Sequence, residues 1–206
     1  MKPWLRMTCV ALLGFGVLVA PRAPGQTGIP RDVLMALQKG GQVIVMRHAR
    51  SPQAVPDKAT ANADNTTLER QLDEEGRATA TAMGNALRAM KIPIGAVLSS
   101  PTYRARETVR LAQLPMPQLR DELGDGGQSM QGVGAAQGDW LRAQVAQFRR
   151  GTNTFIVTHL PNISAAFPED AQGIADGEAL VFGPDGKGGA TLLARIRIED
   201  WPTLAR

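Results

Sequence analysis

One cysteine and two histidines are all that the 206 residues hold of those two types, and these shortages narrow the chemistry before any motif is read. Cys9 lies inside an N-terminal apolar run, so a chain processed behind that run has no cysteine. A thiol nucleophile, a cysteine metal site and a disulfide framework are then excluded, and stability must come from the core. No His-x-His, no His-Glu-x-x-His and no Asp-rich metal loop accompanies either histidine, which argues against a two-histidine metal hydrolase. No apolar run reaches the roughly 20 residues that span a bilayer. There is no internal repeat and no linker-like change of composition, so one domain is expected.

The apolar run itself, Met7 to Ala20, follows Lys2 and Arg6 and precedes Pro21, Arg22, Ala23, Pro24 and Gly25. That is the pattern of a cleavable signal peptide over residues 1–25, with a mature domain over 26–206 exported to the periplasm or secreted. No stable membrane insertion is expected after cleavage. Losing Lys2, Arg6 and Arg22 leaves 20 basic against 19 acidic residues, so the formal charge of the whole chain is no argument for nucleic-acid binding.

The remainder alternates helices and strands. Val33, Leu34 and Leu37 have helical spacing between Pro30 and the Gly40-Gly41 stop, and Gln42 to Met46 reads as a strand buried on both faces. A polar loop from Ala49 to Thr67 follows. Asp73 caps a long amphipathic helix carrying Ala80, Met83, Leu87 and Met90. Gly95 to Ser99 is a second buried strand, after which Pro101 is expected to begin a helix running to about Ala112. Leu114 to Gly138 reads as mobile loop with a short strand near Gln118, and Trp140, Val145 and Phe148 mark another helix. Thr154 to Thr158 is a third buried strand. Glu178 to Phe182 and Thr191 to Ile198, joined by Pro184 to Gly189, form a hairpin. The fold class is therefore α/β with a mixed sheet.

Both histidines, His48 and His159, directly follow buried strands. In open α/β sheets ligands bind outside the carboxyl ends of the strands, so neighbouring strands would bring the two imidazoles into one crevice, with Arg47 and Arg104 beside them. Guanidinium forks match phosphate oxygens, and helix N-termini after Pro101 and Pro161 add N–H donors. A strand-end histidine can act as a base or nucleophile only if one ring nitrogen is unprotonated while the other donates to a fixed acceptor such as a backbone carbonyl. Two arginines and two histidines can hold a phosphate without a metal, so no cofactor is demanded.

Arg47-His48-Ala49 resembles the Arg-His-Gly motif of the histidine phosphatase superfamily, which includes the phosphoglycerate mutases. The likeness continues through Arg70 to Arg77, Ser99 to Thr108 and Val157-Thr-His159, in the family's order. The closing Gly177 to Gly186 hairpin is similar to one in small exported members. The resemblance implies a phosphoglycerate mutase-like three-layer α/β/α sandwich with a mostly parallel mixed sheet. It also implies that His48 becomes phosphohistidine, that Arg47 and Arg104 clamp the phosphoryl oxygens, and that His159 donates a hydrogen bond to them.

A carboxylic acid is needed to protonate the leaving oxygen. Leu123-Gly-Asp125-Gly-Gly127 is similar to the Leu-x-Glu piece of mutase-like members, which favours Asp125; Leu119-Arg-Asp121-Glu122 aligns to the same piece, leaving Glu122 and Asp121 open. Leu160 stands where the acid-phosphatase branch has an aspartate, which places the chain nearer the mutase-like branch. Ala49 replaces the motif glycine and requires a backbone without positive φ there. Arg50 reads as a solvated rim arginine and Asn162 as a turn residue. The expected activity is metal-independent hydrolysis of a small phosphomonoester; a phosphate-binding protein without turnover and a phosphomutase remain alternatives. Substrate identity and oligomeric state are not encoded in any motif.

Overall fold

The computed structural model describes residues 30–52, 70–126 and 133–205. The expected signal peptide over 1–25, most of the Ala49 to Thr67 loop and residues 127–132 of the Leu114 to Gly138 stretch lie outside the described residues. Helix α1, Arg31–Lys39, starts after Pro30 and stops at Gly40, whose φ of 77° suits glycine. Strand β1, Val43–Arg47, is followed by α2, Glu74–Ala89, where Asp73 accepts a hydrogen bond from the Gly76 N–H at 2.8 Å. That cap satisfies one of the free amides of the first turn. Next come β2, Ile94–Ser99, and α3, Tyr103–Leu111. Pro101 does not open α3 as the sequence suggests. The helix begins two residues later, behind Thr102, because Ser100 and Thr102 bond to one another across the junction.

Strand β3, Gln118–Leu119, has only two residues, and Asp121–Leu123 forms one 3-10 turn. Helix α4, Ala135–Val145, begins inside the segment expected to be loop, and it ends before Phe148, which packs beside it. Strand β4, Asn153–Thr158, leads directly into α5, Leu160–Ala166. Strands β5, Ala179–Pro184, and β6, Ala190–Ile196, close the expected hairpin; in its turn the Asp185 carboxylate accepts from the Lys187 and Gly189 amides at 2.7 and 2.9 Å. A short helix α6, Trp201–Leu204, ends the described chain.

The sheet order is β3-β2-β4-β1-β5-β6, parallel from β3 through β1 and antiparallel at β1/β5 and β5/β6. The mostly parallel mixed sheet is thus as expected. Alternate residues of β1 divide between two cores. Ile44 and Met46 pack with α1, α2, α3 and Trp201, whereas Val43 and Val45 pack with α4 and α5. Strand β4 divides in the same way, with Phe155 and Val157 on one side and Ile156 on the other, which makes three layers. Each large side chain taken fully out of water contributes about 1.5–3 kcal/mol. That explains why the central strands are near-continuous runs of Val, Ile, Leu and Phe.

Close packing of α2 on the end of α3 depends on Gly84. A Cβ there would lie 2.0 Å from the Ala112 carbonyl oxygen and 2.5 Å from its carbon. Alanine gains about 1 kcal/mol of helix propensity over glycine, whereas overpacking against backbone costs about 1–3 kcal/mol. Gly84→Ala is therefore expected to lower the urea midpoint at unchanged m value; a raised midpoint would show that α2 moves away at no cost.

Candidate active site

Parallel pairing of β1 with β4 sets Arg47 opposite Thr158, so the residues that follow, His48 and His159, leave the sheet side by side. Their ring centroids are 5.2 Å apart at an interplanar angle of 63°. Both are almost fully buried, at 3% and 2% exposure. From the first turn of α3, on the neighbouring strand's connection, Arg104 enters between them at 4% exposure. Its Nε donates to His48 Nε2 at 3.2 Å and its Nη2 to His159 Nδ1 at 3.1 Å.

These contacts assign the tautomers. His48 Nδ1–H donates to the Ala49 carbonyl at 2.8 Å, leaving Nε2 as the lone-pair nitrogen that faces Arg104. His159 Nε2–H is shared by Ser100 Oγ at 2.9 Å and Thr102 Oγ1 at 3.3 Å, leaving Nδ1 to accept from Arg104. Ala49 is fully buried and does not have positive φ, so the exchange of the motif glycine for alanine is accommodated. Its N–H donates to Thr108 Oγ1 at 3.0 Å, tying the histidine loop to α3.

Burial is the largest cause holding the His48 imidazole well below its ordinary pKa, followed by His159 and Arg104; the Ala49 carbonyl opposes them, and Arg47 adds to them. For His159 burial again leads, followed by Arg104, Arg70 and Arg47. Both rings are thus neutral at physiological pH, because an imidazolium would be desolvated and set against a guanidinium.

Arg47 is more constrained than a free phosphate clamp. Its Nη2 pairs with Asp176 at 2.6 Å and its Nη1 donates to the Ile174 carbonyl at 3.0 Å, while its Nε is buried without a partner among the described residues. Of the candidate acids, Asp125 ion-pairs with Arg104 and stands 3.7 Å from His159 Nδ1, with 27% side-chain exposure. Glu122 and Asp121 belong to the 3-10 turn before it, and Glu122 joins the surroundings of the site through its backbone carbonyl, which accepts from Asn162.

Four contributions escaped the sequence reading. Asp176 holds Arg47; Ser100 and Thr102 hold His159; and Arg70, whose Nε and Nη2 donate to Ser51 Oγ and carbonyl at 3.3 and 3.1 Å, adds positive potential at His159. Asn162 is not a turn residue but a fully buried one. A polar residue one helical turn behind a strand-end histidine was the available signal. Arg50 is exposed, as expected, but pairs with Asp73 at 3.0 Å and with Glu75, pinning it to the start of α2. Gly76 permits that contact, since a Cβ there would lie 2.1 Å from the Arg50 carbonyl oxygen. Among the described residues no three His, Cys, Asp or Glu side chains cluster as a metal site, and no helix is long and apolar enough to cross a membrane.

Residues 43–125 match the sequence profile of the histidine phosphatase superfamily (branch 1). Among solved structures, the chain is similar to the protein histidine phosphatase SixA complexed with tungstate, with 21% identity over 77% of this chain and 98% of that one and a TM-score of 0.53. It is similar also to a phosphoserine phosphatase mutant from Entamoeba histolytica in complex with phosphoserine, with 12% identity over 77% and 98% of the two chains and a TM-score of 0.50. No curated protein sequence matches the chain.

Neutral buried histidines couple folding to pH with a definite sign. The folded chain resists protonation at His48 and His159, whereas the unfolded chain takes up protons from about pH 6.5 downward. Their contribution to stability is complete above that pH and declines as pH falls below it toward the lowered folded values. Denaturant unfolding between pH 8 and pH 5 should show this decline, with a shallower slope in the His48→Asn/His159→Asn double variant. An unchanged slope would mean that the rings take up protons in the fold as readily as in the unfolded chain.

Proposed function

We propose that this chain, whose residues 43–125 match the histidine phosphatase superfamily (branch 1), hydrolyses small phosphomonoesters through a phosphohistidine formed on His48. The observation that carries this reading is the His48 ring, locked at Nδ1 by the Ala49 carbonyl, with its Nε2 lone pair facing Arg104 beside His159.

In the first step Nε2 attacks phosphorus and the ester P–O bond breaks. Arg104 exchanges its two imidazole contacts for phosphoryl oxygens, and the free Nε of Arg47 offers a further donor. His159, turned by Ser100 and Thr102, borders the same oxygens. Asp125, released from Arg104 by the phosphoryl group, takes up the proton of the monoanionic phosphoester and passes it to the leaving alkoxide. In the second step water gives its proton to the Asp125 carboxylate and attacks phosphorus; the P–N bond breaks, releasing inorganic phosphate and restoring the neutral imidazole. Preformed guanidinium donors carry the charge of the transition state, and His159, whose Nδ1 accepts from Arg104, orients that guanidinium rather than donating to the phosphoryl oxygens as the sequence suggested, so the reaction requires no metal.

The pattern of residues 1–25 supports work outside the cytoplasm, and the near-neutral balance of the remainder supports a small substrate rather than a nucleic acid. Phosphoserine, bound in one of the two similar structures, and a histidine-phosphorylated protein, the substrate class in the name of the other, belong in the first substrate screen.

Hydrolysis of an aryl phosphate in EDTA is expected for the wild type, with a loss on the order of 10³-fold or more in His48→Ala and an acid-labile phosphoryl group trapped on the wild type alone. Turnover that needs added metal, or that survives His48→Ala, would overturn the mechanism. Asp125→Asn should slow alkyl phosphates on the order of 10²-fold or more while slowing nitrophenyl phosphate far less, since nitrophenolate leaves without a proton. Equal losses on the two substrates would remove Asp125 from the role of acid.

A further inference from the structure

The segment that carries Asp125 is held by side chains at the end of β4 and the start of α5, on either side of the second histidine. Three consecutive carbonyls before Asp125 each accept a hydrogen bond from a side chain flanking His159. Asn162 Nδ2 donates to Glu122 at 3.0 Å and to Gly124 at 2.9 Å, and Thr158 Oγ1 donates to Leu123 at 2.8 Å. Both side chains are fully buried. Two further bonds fix the segment upstream, from the Arg120 N–H to the Ser99 carbonyl at 3.0 Å and from the Leu123 N–H to the Arg120 carbonyl at 3.1 Å.

The Asn162 amide has one orientation that fits, because the reverse would set Oδ1 against two carbonyl oxygens. In that orientation Oδ1 is buried without a partner among the described residues. A buried acceptor left unpaired opposes folding, so stability alone does not account for an asparagine here. What the side chain supplies is the pair of donors that fixes the backbone next to the acid.

We infer that Asn162 and Thr158 are positioning residues that set Asp125 against His159 and Arg104, so that acid and phosphate clamp move as one body. The inference rests on the proposed role of Asp125. Proton transfer to a leaving oxygen requires hydrogen-bond reach, and a shift of about 1 Å in a reacting group costs on the order of 10²-fold. Releasing the three carbonyls therefore harms the proton-requiring reaction more than the one that needs no proton. Neither side chain touches the ring atoms of His48 or the guanidinium of Arg47 by any hydrogen bond among the described residues.

The test measures kcat on an alkyl phosphate and on nitrophenyl phosphate for Asn162→Leu and Thr158→Val, alone and combined with Asp125→Asn. Folding is checked by thermal unfolding, and the near-isosteric Thr158→Val serves where Asn162→Leu does not fold. The alkyl-to-aryl ratio of kcat is expected to fall by about tenfold to a hundredfold in each single variant, with no further fall when Asp125 is already Asn. A ratio that stays at the wild-type value in the single variants, while Asp125→Asn lowers it, would overturn the positioning role and leave the acid in place. A lowered ratio in the single variants with no effect of Asp125→Asn would overturn the link to Asp125 together with the acid assignment, and would direct the clamp to Glu122.

Discussion

The guanidinium of Arg104 donates to Nε2 of His48 and to Nδ1 of His159 at once, at 3.2 and 3.1 Å, inside a site almost closed to water. Those two bonds require both rings to be neutral and each to present a lone pair to the same cation. The requirement passes outward through the molecule. His48 must send its proton to the Ala49 carbonyl, and His159 must send its own to Ser100 and Thr102. The loop after β1 must lie against α3, where the Ala49 N–H meets Thr108. Two imidazoles, the carbonyl and hydroxyls that orient them and the guanidinium between them thus form one hydrogen-bonded unit.

Charge in the site is balanced in pairs. Asp125 answers Arg104 and Asp176 answers Arg47, so the cations that would receive a phosphoryl group are held in place without one. Buried ion pairs offset desolvation only when geometry and further hydrogen bonds are good, and here each carboxylate remains partly solvated, at 27% and 19% exposure. On the proposed mechanism an arriving phosphate would bring charge of the same sign as these carboxylates to arginines already held in place.

The framework that permits this is ordinary α/β packing used asymmetrically. Parallel strands β2, β4 and β1 end at one level, and their connections deliver Ser100, His159 and His48 in spatial order across the sheet. Antiparallel β5 adds the segment before it, from which Asp176 and Ile174 reach Arg47. Glycines at 76 and 84 let α2 approach the Arg50 backbone and the end of α3 closely enough to support that edge.

From the chain itself one could read the buried strands, the position of each histidine directly after one, and the arginines beside them. Periodicity and β-branched runs depend on neighbours in sequence, and motif order does not depend on folding. The two-way division of each strand's side chains followed from the same pattern. The tertiary structure decided what local sequence cannot encode: that β1 and β4 are adjacent and in register, and that Arg104 serves both rings. It decided also that Arg47 is tethered to Asp176, and that Asn162 reaches forty residues back to the acid's backbone. The start of α3 was misread at Pro101, where the serine and threonine on either side bond to each other and delay the helix by two residues. Among Asp121, Glu122 and Asp125 the chain offered three acids of the same chemistry, and only the folded path of the backbone, held at three carbonyls, sets Asp125 against Arg104 and His159.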